Sequence, residues 1–258
     1  MSVDYYFERS VAEIVLNRPD KLNALDPSST DAIIEGLDRA VTDGARAVLI
    51  RAVGRAFCSG RDLSSVSVNE DAVGLLKSVF NRLVLRIHDL AIPTVAAVQG
   101  ACMGAGAGIA LACDLTVASE DAVFGSPFGR LGAVPDSGFH WFITTRLGPA
   151  LARDLILSGR ILDGHEAAKL GLVARCVARP ELDNEARKLA YTVAAGPITA
   201  FQLSMALVDD VAAGASLAAA LDAEATAQGV AYASPDVAEG LAAFAEKRAP
   251  RFMAGDHH

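Results

Sequence analysis

Apolar segments alternate with amphipathic segments over roughly the first 180 residues of the chain. A short alternating or continuous apolar run predicts a strand, whereas apolar residues recurring every three to four positions predict a helix. Helical spacing is found in DPSSTDAIIEGLDRAV, in EDAVGLLKSVFNRLVLRIHDL, in AGIALACD and in GFHWFITTRLG, which Gly148 closes. The predicted strands are VAEIVLN, AVLIRAV, TVAAVQG, LTVAS, AVFGS and LVARCVA.

Only helical patterns follow the pair Gly196-Pro197. Strands that alternate with helices, followed by helices alone, predict an α/β core over residues 1–196 and a helical segment over residues 197–258. The helical segment is rich in alanine, and its apolar stripes contain few large residues. Such helices can pack on their own core or on a neighbouring subunit, and the pattern leaves both open.

Composition narrows the class of protein. The chain has 258 residues, 52% of them hydrophobic and 21% charged, which indicates a globular protein with one large core. Its apolar runs are shorter than the roughly 18 residues of a membrane span, and its start lacks the basic region of a signal peptide. The net charge of −8 argues against a general nucleic-acid binder, although a few local basic groups can still hold an anionic ligand.

The four cysteines form no CxxC pair and no histidine pair stands near them, so neither zinc nor a disulfide framework is expected. Small buried thiols of a reduced cytoplasmic protein are the expectation instead. The sequence therefore predicts chemistry without a metal.

Two glycine-rich turns follow predicted strands. In VQGACMGAGAGIALACD, three interpretations compete: a dinucleotide site, close helix–strand packing, or an oxyanion hole. The dinucleotide fingerprint needs a third glycine where Ile109 stands. The second turn, GRAFCSGRDLS, can bring another backbone N–H to the same oxygen.

A single acidic residue, Asp136, lies in the apolar stretch FGSPFGRLGAVPDSGFHW. It can cap the helix that follows, or it can act as a catalytic base. His140 follows four residues later, and such a pair on a helix is usually a surface contact. A nucleophilic serine is not indicated, because the chain has no GxSxG elbow.

The whole chain resembles the crotonase superfamily, the enoyl-CoA hydratases and isomerases. The resemblance rests on the order and spacing of IVLNRPDKLNAL, AFCSGRDL, TVAAVQGACMGAGAGIALACDL, FGSPFGRLGAVPDSG, SGRILDGHEAAKLGLV and AAFAEKRAPRF. It implies a spiral of ββα units with a C-terminal helical oligomerisation segment that builds trimers, often paired into hexamers. It also implies an acyl-CoA thioester as substrate, with no further cofactor.

The resemblance assigns the oxyanion hole to the backbone N–H groups of Arg61 and Ala105. Arg18 and Lys21 become candidate partners of the CoA phosphates, with plain surface basic residues as the alternative, and apolar side chains are expected around the acyl group. The residues so assigned to substrate binding are Arg18, Lys21, Asn23, Ala24, Leu25, Ser59, Gly60, Asp62, Leu63, Gly104, Phe128, Phe139 and Trp141.

The chain departs from the hydratases of this family, which use two glutamates. Aligned on the motifs, those glutamates fall on Gly108 and Phe128, and neither residue can position or deprotonate water. Asp136 stands where single-carboxylate isomerases carry their base, and the GAGA and PDxG motifs are most similar to the ring-epoxide isomerases of phenylacetyl-CoA breakdown. The sequence therefore predicts an acyl-CoA isomerase with Asp136 as acid and base.

Three alternatives stay open. One is an enoyl-CoA hydratase or dienoyl-CoA isomerase of fatty-acid or aromatic-acid breakdown. Another is dehalogenase-type chemistry with the aspartate as nucleophile, although the nearby His88 is out of register for it. The third is an acyl-CoA-binding family member with little catalysis.

Overall fold

The computed structural model describes residues 2–67 and 69–252. Within these residues a large sheet has the strand order β1-β2-β3-β4-β6-β9, and a small sheet has the order β5-β7-β8. Only the β1–β2 and β7–β8 pairs are antiparallel among the described strands. The strands are β1 (Val3–Glu8), β2 (Val11–Leu16), β3 (Ala47–Ala52), β4 (Thr94–Val98), β5 (Ala101–Met103), β6 (Leu115–Ser119), β7 (Val123–Gly125), β8 (Leu162–Asp163) and β9 (Arg175–Val177).

Helices cover both faces of the large sheet and form the C-terminal part of the chain. They are α1 (Pro27–Thr42), α2 (Ala72–Leu75), α3 (Asn81–His88), α4 (Ala105–Ala112), α5 (Phe139–Ser158), α6 (Gly164–Lys169), α7 (Leu182–Ala194), α8 (Ile198–Ala212), α9 (Leu217–Tyr232) and α10 (Pro235–Glu246). A wider π-helical turn, Leu76–Phe80, joins α2 to α3.

The core has two layers because the parallel strands are buried on both faces. In β3, Val48 and Ile50 point into the main cluster, which also contains residues of α1, α3, α4 and α5. Ala47 and Leu49 point to the opposite face, where α7 covers them. The alternation follows from the two-residue repeat of a strand.

The chain passes from the large sheet to the small one at Gly100. This residue has φ 53°, and a Cβ there would lie 1.9 Å from the carbonyl oxygen of Arg55. Only glycine fits so close an approach. The turn therefore ends β4 and starts β5, so that the predicted strand TVAAVQG contributes to one sheet and its continuation to another.

The mixed α/β fold predicted from the sequence is confirmed, including the three C-terminal helices and the break of α5 at Gly148. Three strands and one helix boundary differ from the prediction, and two of these strands are the short β5 and β8, which were not predicted. Strand β1 was not predicted; its residues are half-buried or exposed, so its apolar pattern is weak. Helix α4 begins at Ala105, two residues before the predicted AGIALACD segment, because Gly104 adopts φ 53° and ψ −121°.

Helices α8, α9 and α10 form an arm that makes few contacts with the rest of the described chain. Helix α8 packs on α9, and α9 packs on α10. Large apolar side chains are exposed along the arm, among them Leu217 and Phe244, the latter 85% exposed.

Among the described residues no single helix is long and apolar enough to cross a bilayer. The helical stretches 179–194 and 198–212 pass that test only as a pair, and they meet at 108°.

Candidate active site

The two glycine-rich turns meet at the start of α4. Cys58 and Cys102 form a parallel bridge, in which the Cys58 N–H donates to the carbonyl of Ala101 and the Met103 N–H donates to the carbonyl of Cys58. A Cβ placed on Gly60 would lie 2.9 Å from the carbonyl oxygen of Met103 and 3.7 Å from the amide nitrogen of Ala105. The first turn therefore lies directly against the N-terminus of α4.

Two backbone N–H groups are available at this junction. Leu25 pairs with the first turn through the Gly60 carbonyl and the Asp62 N–H, which leaves the Arg61 N–H unused. Ala105 is the first residue of α4, where helical N–H groups lack an intrahelical acceptor. Among the described residues neither amide donates to a protein acceptor. Two adjacent free donors can stabilise one negatively charged oxygen.

Glycine is required at position 104 to aim the second donor. Its φ of 53° and ψ of −121° are available only to glycine at little cost. A Cβ there would also lie 3.1 Å from the ring of Phe128. The half-buried Phe128 ring thus lies over Gly104, beside the two donors, and forms an apolar wall.

Asp136 does not cap α5 with its side chain. The N-cap residue is Gly138, without a side-chain hydrogen bond, and the Phe139 N–H donates to the backbone carbonyl of Asp136 at 3.1 Å. The carboxylate instead accepts a hydrogen bond of 2.9 Å from the Ser137 hydroxyl. It is therefore free for other partners.

Helix α4 also positions the Asp136 loop. A Cβ on Gly108 would lie 2.4 Å from the carbonyl oxygen of Ser137, so the loop rests on the helix at this glycine. Ser137 is buried and has φ 54°, a strained angle for a residue with a side chain. Gly108 lies one turn after Ala105, about 4.5 Å along the axis. The first turn of α4 therefore brings the two amides and Asp136 together.

The half-buried carboxyl of Asp136 has a raised pKa because burial disfavours its charged form. The Ser137 hydrogen bond and the charges of Arg61 and His140 act in the opposite direction without cancelling the effect of burial. A carboxylate with a raised pKa is a stronger base than an exposed one. The arrangement can move a proton beside an oxygen that becomes negative.

Glu70 was not singled out from the sequence. It pairs with the Arg61 side chain, with Arg61 Nη2 and Glu70 Oε2 2.6 Å apart. Nothing in the sequence pairs these residues, because they are nine positions apart across an irregular loop. Ser137 was also missed as the partner of Asp136, although its place in a PDSG turn offered a signal.

Arg18 lies in a network with two carboxylates, and its contact with the CoA phosphates remains a prediction. Its guanidinium contacts Asp26 at 2.6 Å and Asp62 at 3.3 Å and donates to the carbonyl of Ala24. Burial alone would raise the pKa of Asp26, but hydrogen bonds from Ser28 and Ser29 and the Arg18 charge bring it to about 2. Both acids thus already neutralise Arg18.

The neighbouring predicted residues divide into buried and exposed ones. The Asn23 amide is buried and donates to the carbonyls of Val53 and Ala56. Lys21 and Leu63 are exposed, so Lys21 is the more exposed of the two predicted phosphate partners. The remaining predicted residues are Ala24 and Leu25, which are buried, Ser59, which donates its N–H to Leu22, and Asp62, which caps the turn Leu63–Ser65.

The structure places Trp141 and Phe139 in different surroundings, and their contact with the acyl group remains a prediction. Trp141 is 45% exposed and packs edge-to-face against His88 and Phe142. Together these three line a cavity of about 820 Å³ between α5 and α8, whose lining contains neither Asp136 nor the two amides. Phe139 is buried in the main core. The difference between the two residues follows from helical geometry, since side chains at different positions on α5 point in different directions.

The cysteines are free thiols, and three of them are fully buried. Burial raises the pKa of Cys58 to about 12, which makes it a poor nucleophile. No cluster of three or more metal-ligating side chains occurs in the part of the chain that the structure describes.

Two glycine-rich turns that meet at one helix in an α/β core define the crotonase fold. The crystal structure of enoyl-CoA hydratase subunit I from Geobacillus kaustophilus has a TM-score of 0.92 to this chain, with 32% identity over 98% of each chain. The family profile described as enoyl-CoA hydratase/isomerase matches residues 6–255. The chain therefore belongs to the enoyl-CoA hydratase/isomerase family, whose members are enzymes that act on acyl-CoA thioesters.

Relatives that are named for different activities have similar sequence identity to this chain. A probable enoyl-CoA hydratase from Rhodobacter capsulatus is 36% identical over 97% of each chain. The 1,2-epoxyphenylacetyl-CoA isomerase of Escherichia coli is 32% identical over 96% of each chain. Overall identity therefore does not separate hydratase from isomerase, and the residues of the site have to.

Proposed function

We propose that this protein is an acyl-CoA isomerase in which Asp136 alone transfers the proton. The observation that carries the proposal is the position of Asp136 beside the first turn of α4. Its carboxyl is half-buried and is hydrogen-bonded only to Ser137 among the described residues. The N–H groups of Arg61 and Ala105 would hold the thioester oxygen while it carries negative charge.

A hydratase needs a second acid or base to activate water, and this site has no room for one at the expected places. The Gly108 position is closed by Ser137, with a Cβ–oxygen distance of 2.4 Å. The second position is occupied by Phe128, whose apolar ring lies over Gly104. Water bound here would have one carboxylate at most, which favours proton transfer within the substrate over hydration.

The proposed reaction shifts a double bond from C3 to C2 of the acyl chain. Asp136 removes a proton from C2, and the electron pair of that C–H bond delocalises onto the thioester oxygen, where the two amides stabilise it. The protonated Asp136 then returns the proton to C4 as the C2–C3 double bond forms. Atoms and charge balance without any added cofactor, and none is proposed.

Ring-epoxide opening is a second candidate for the same machinery. It is supported by the GAGA and PDSG motifs and by the 32% identity to the 1,2-epoxyphenylacetyl-CoA isomerase. The same amides would hold the same thioester oxygen. The two candidates differ in the acyl group, which Phe128 and the surrounding apolar surface select.

An absorbance assay with two substrates tests the proposal. A 3-enoyl-CoA gains conjugated-thioester absorbance when it is isomerised, and a 2-enoyl-CoA loses absorbance when it is hydrated. We expect a gain on the first, little loss on the second, and a fall of about 10³-fold or more in the gain for Asp136→Asn. Glu35→Gln, which removes an exposed carboxylate on α1, is the matched control and should retain full activity.

Efficient hydration that survives Asp136→Asn would reject the mechanism. If neither substrate changes in absorbance, the ring epoxide is assayed next. If the ring epoxide does not react either, and calorimetry shows that acyl-CoA binds, the result would favour a binding protein with little catalysis.

We also propose that the protein acts in the cytoplasm as a homotrimer or a hexamer built through residues 197–258. The exposed apolar side chains of the arm support assembly, because a monomer would leave them in water. Light scattering coupled to size-exclusion chromatography measures the mass, and a monomer at micromolar concentration would contradict this proposal.

A further inference from the structure

The Arg61 side chain is separate in function from its backbone. The backbone N–H lies at the junction with α4, whereas the guanidinium forms a short ion pair with Glu70. About three-quarters of each of the two side chains is buried, at 24% and 26% exposure. An ion pair that is largely shielded from solvent holds its geometry better than one on the open surface.

The fold brings the loop that carries Arg61 close to the loop that carries Asp136. Gly60, which precedes Arg61, lies against the amide of Ala105, and Ser137, which follows Asp136, lies against Gly108. Ala105 and Gly108 are one helical turn apart on α4. The two loops therefore approach each other over the first turn of α4, and the positive charge of Arg61 lowers the pKa of the Asp136 carboxyl.

We propose that Glu70 is a positioning residue that holds the Arg61 guanidinium at a fixed distance from Asp136, and so keeps that carboxyl ready to both take and release a proton. This inference rests on the proposed role of Asp136. An unrestrained arginine would pair with Asp136 directly and make it a weak base. No arginine at all would leave the carboxyl protonated over a wider range of pH.

The charged and hydrogen-bonding groups that act on Asp136 are Arg61, His140 and the Ser137 hydroxyl. Glu70 acts through Arg61 and by its own charge. Removing Arg61 and removing Glu70 must therefore change the proton affinity of Asp136 in opposite directions. Charge effects alone give opposite signs as well, so the positioning role is tested by whether the effect of removing Glu70 depends on Arg61.

The test is a carbon-13 NMR titration of the aspartate carboxyl groups in the full chain, with Asp136→Asn to assign the signal. We expect Arg61→Met to raise the titration midpoint of Asp136 by about one pH unit and Glu70→Gln to lower it. The drop caused by Glu70→Gln should be smaller in the Arg61→Met background, because only its direct charge effect remains. Arg82→Met, which removes an exposed arginine paired with Asp31, is the control and should leave the midpoint unchanged.

The pH profile of kcat/KM on a 3-enoyl-CoA should move with the NMR midpoint, since the base must be ionised to act. Equal midpoints in wild type, Arg61→Met and Glu70→Gln would overturn the inference. Equal drops from Glu70→Gln in both backgrounds would also overturn it, because Glu70 would then act by its charge alone. If Arg61→Met does not fold, Arg61→Gln serves as the second background, and an equal drop from Glu70→Gln in both backgrounds counts against the inference.

Failure of the proposed function gives a different result. The NMR midpoints would then move as expected while no variant, wild type included, isomerises a 3-enoyl-CoA or opens the ring epoxide.

Discussion

Gly108 of α4 and Ser137 of the Asp136 loop are in such close contact that a methyl group on the glycine would lie 2.4 Å from the serine carbonyl oxygen. This contact seats the loop on the helix. It also fills the place where a hydratase of this family carries a glutamate. One glycine thus helps to determine where Asp136 lies and supports the proposal of an isomerase over a hydratase.

Gly108→Ala is expected to destabilise the fold by about 2 to 3 kcal/mol, because the added methyl group meets backbone atoms that cannot move independently. Urea denaturation measures the change. The matched control is Gly229→Ala on α9, where a Cβ meets nothing within 4 Å, and there a gain of up to about 1 kcal/mol is expected. Equal effects at the two glycines would show that the Ser137 contact is unimportant.

Gly104→Ala is expected to lower kcat by about 10²-fold, because its backbone angles are restricted to glycine and the change moves the Ala105 N–H. Steady-state kinetics measures the effect, on the substrate that reacts in the absorbance assay. Gly129→Ala serves as comparison, since a Cβ there meets nothing within 4 Å and the backbone is ordinary. A Gly104→Ala enzyme of wild-type kcat would exclude Ala105 as a donor.

Asp136→Asn is expected to stabilise the protein at pH 7 while it abolishes activity. The folded-state pKa of this carboxyl lies above its ordinary value of 3.8, so the folded state binds the proton more tightly than the unfolded state does. Stability is therefore lost as pH rises through this range, and the charged form opposes folding at pH 7. Thermal melts should show a rise of about 2 °C at pH 7 that shrinks as pH falls toward 4. A lower Tm at pH 7 would contradict the raised pKa.

Substitution of Arg18 is expected to affect mainly the stability of the fold, and substitution of Lys21 mainly the binding of the CoA thioester. Arg18→Ala should lower the free energy of unfolding by about 2 kcal/mol, because Asp26 and Asp62 lose their shared cation. Lys21→Ala should leave stability unchanged and raise KM for the CoA thioester about threefold, as loss of one exposed charge pair would. The reverse pattern would favour Arg18 as the phosphate ligand.

The sequence by itself determined the secondary structure and the family. Periodicity predicted the strands and helices of the core and the three helices of the arm, because burial on one face imposes a repeat on the residues. It did not predict β1, whose side chains are too exposed to show such a repeat. The order and spacing of the motifs were sufficient to indicate the family by resemblance, whereas the glycine-rich turns by themselves left three interpretations open.

Only the tertiary structure decided which contacts the candidate residues make. The sequence did not reveal the ion pairs of Arg18, since its partners Asp26 and Asp62 are 8 and 44 positions away. Trp141 follows Asp136 closely in the chain but faces another cavity, because a helix turns between them. Glu70 meets Arg61 across an irregular loop that carries no periodic signal. Contacts between loops depend on where the helices and sheets place them, and a linear pattern does not contain that information.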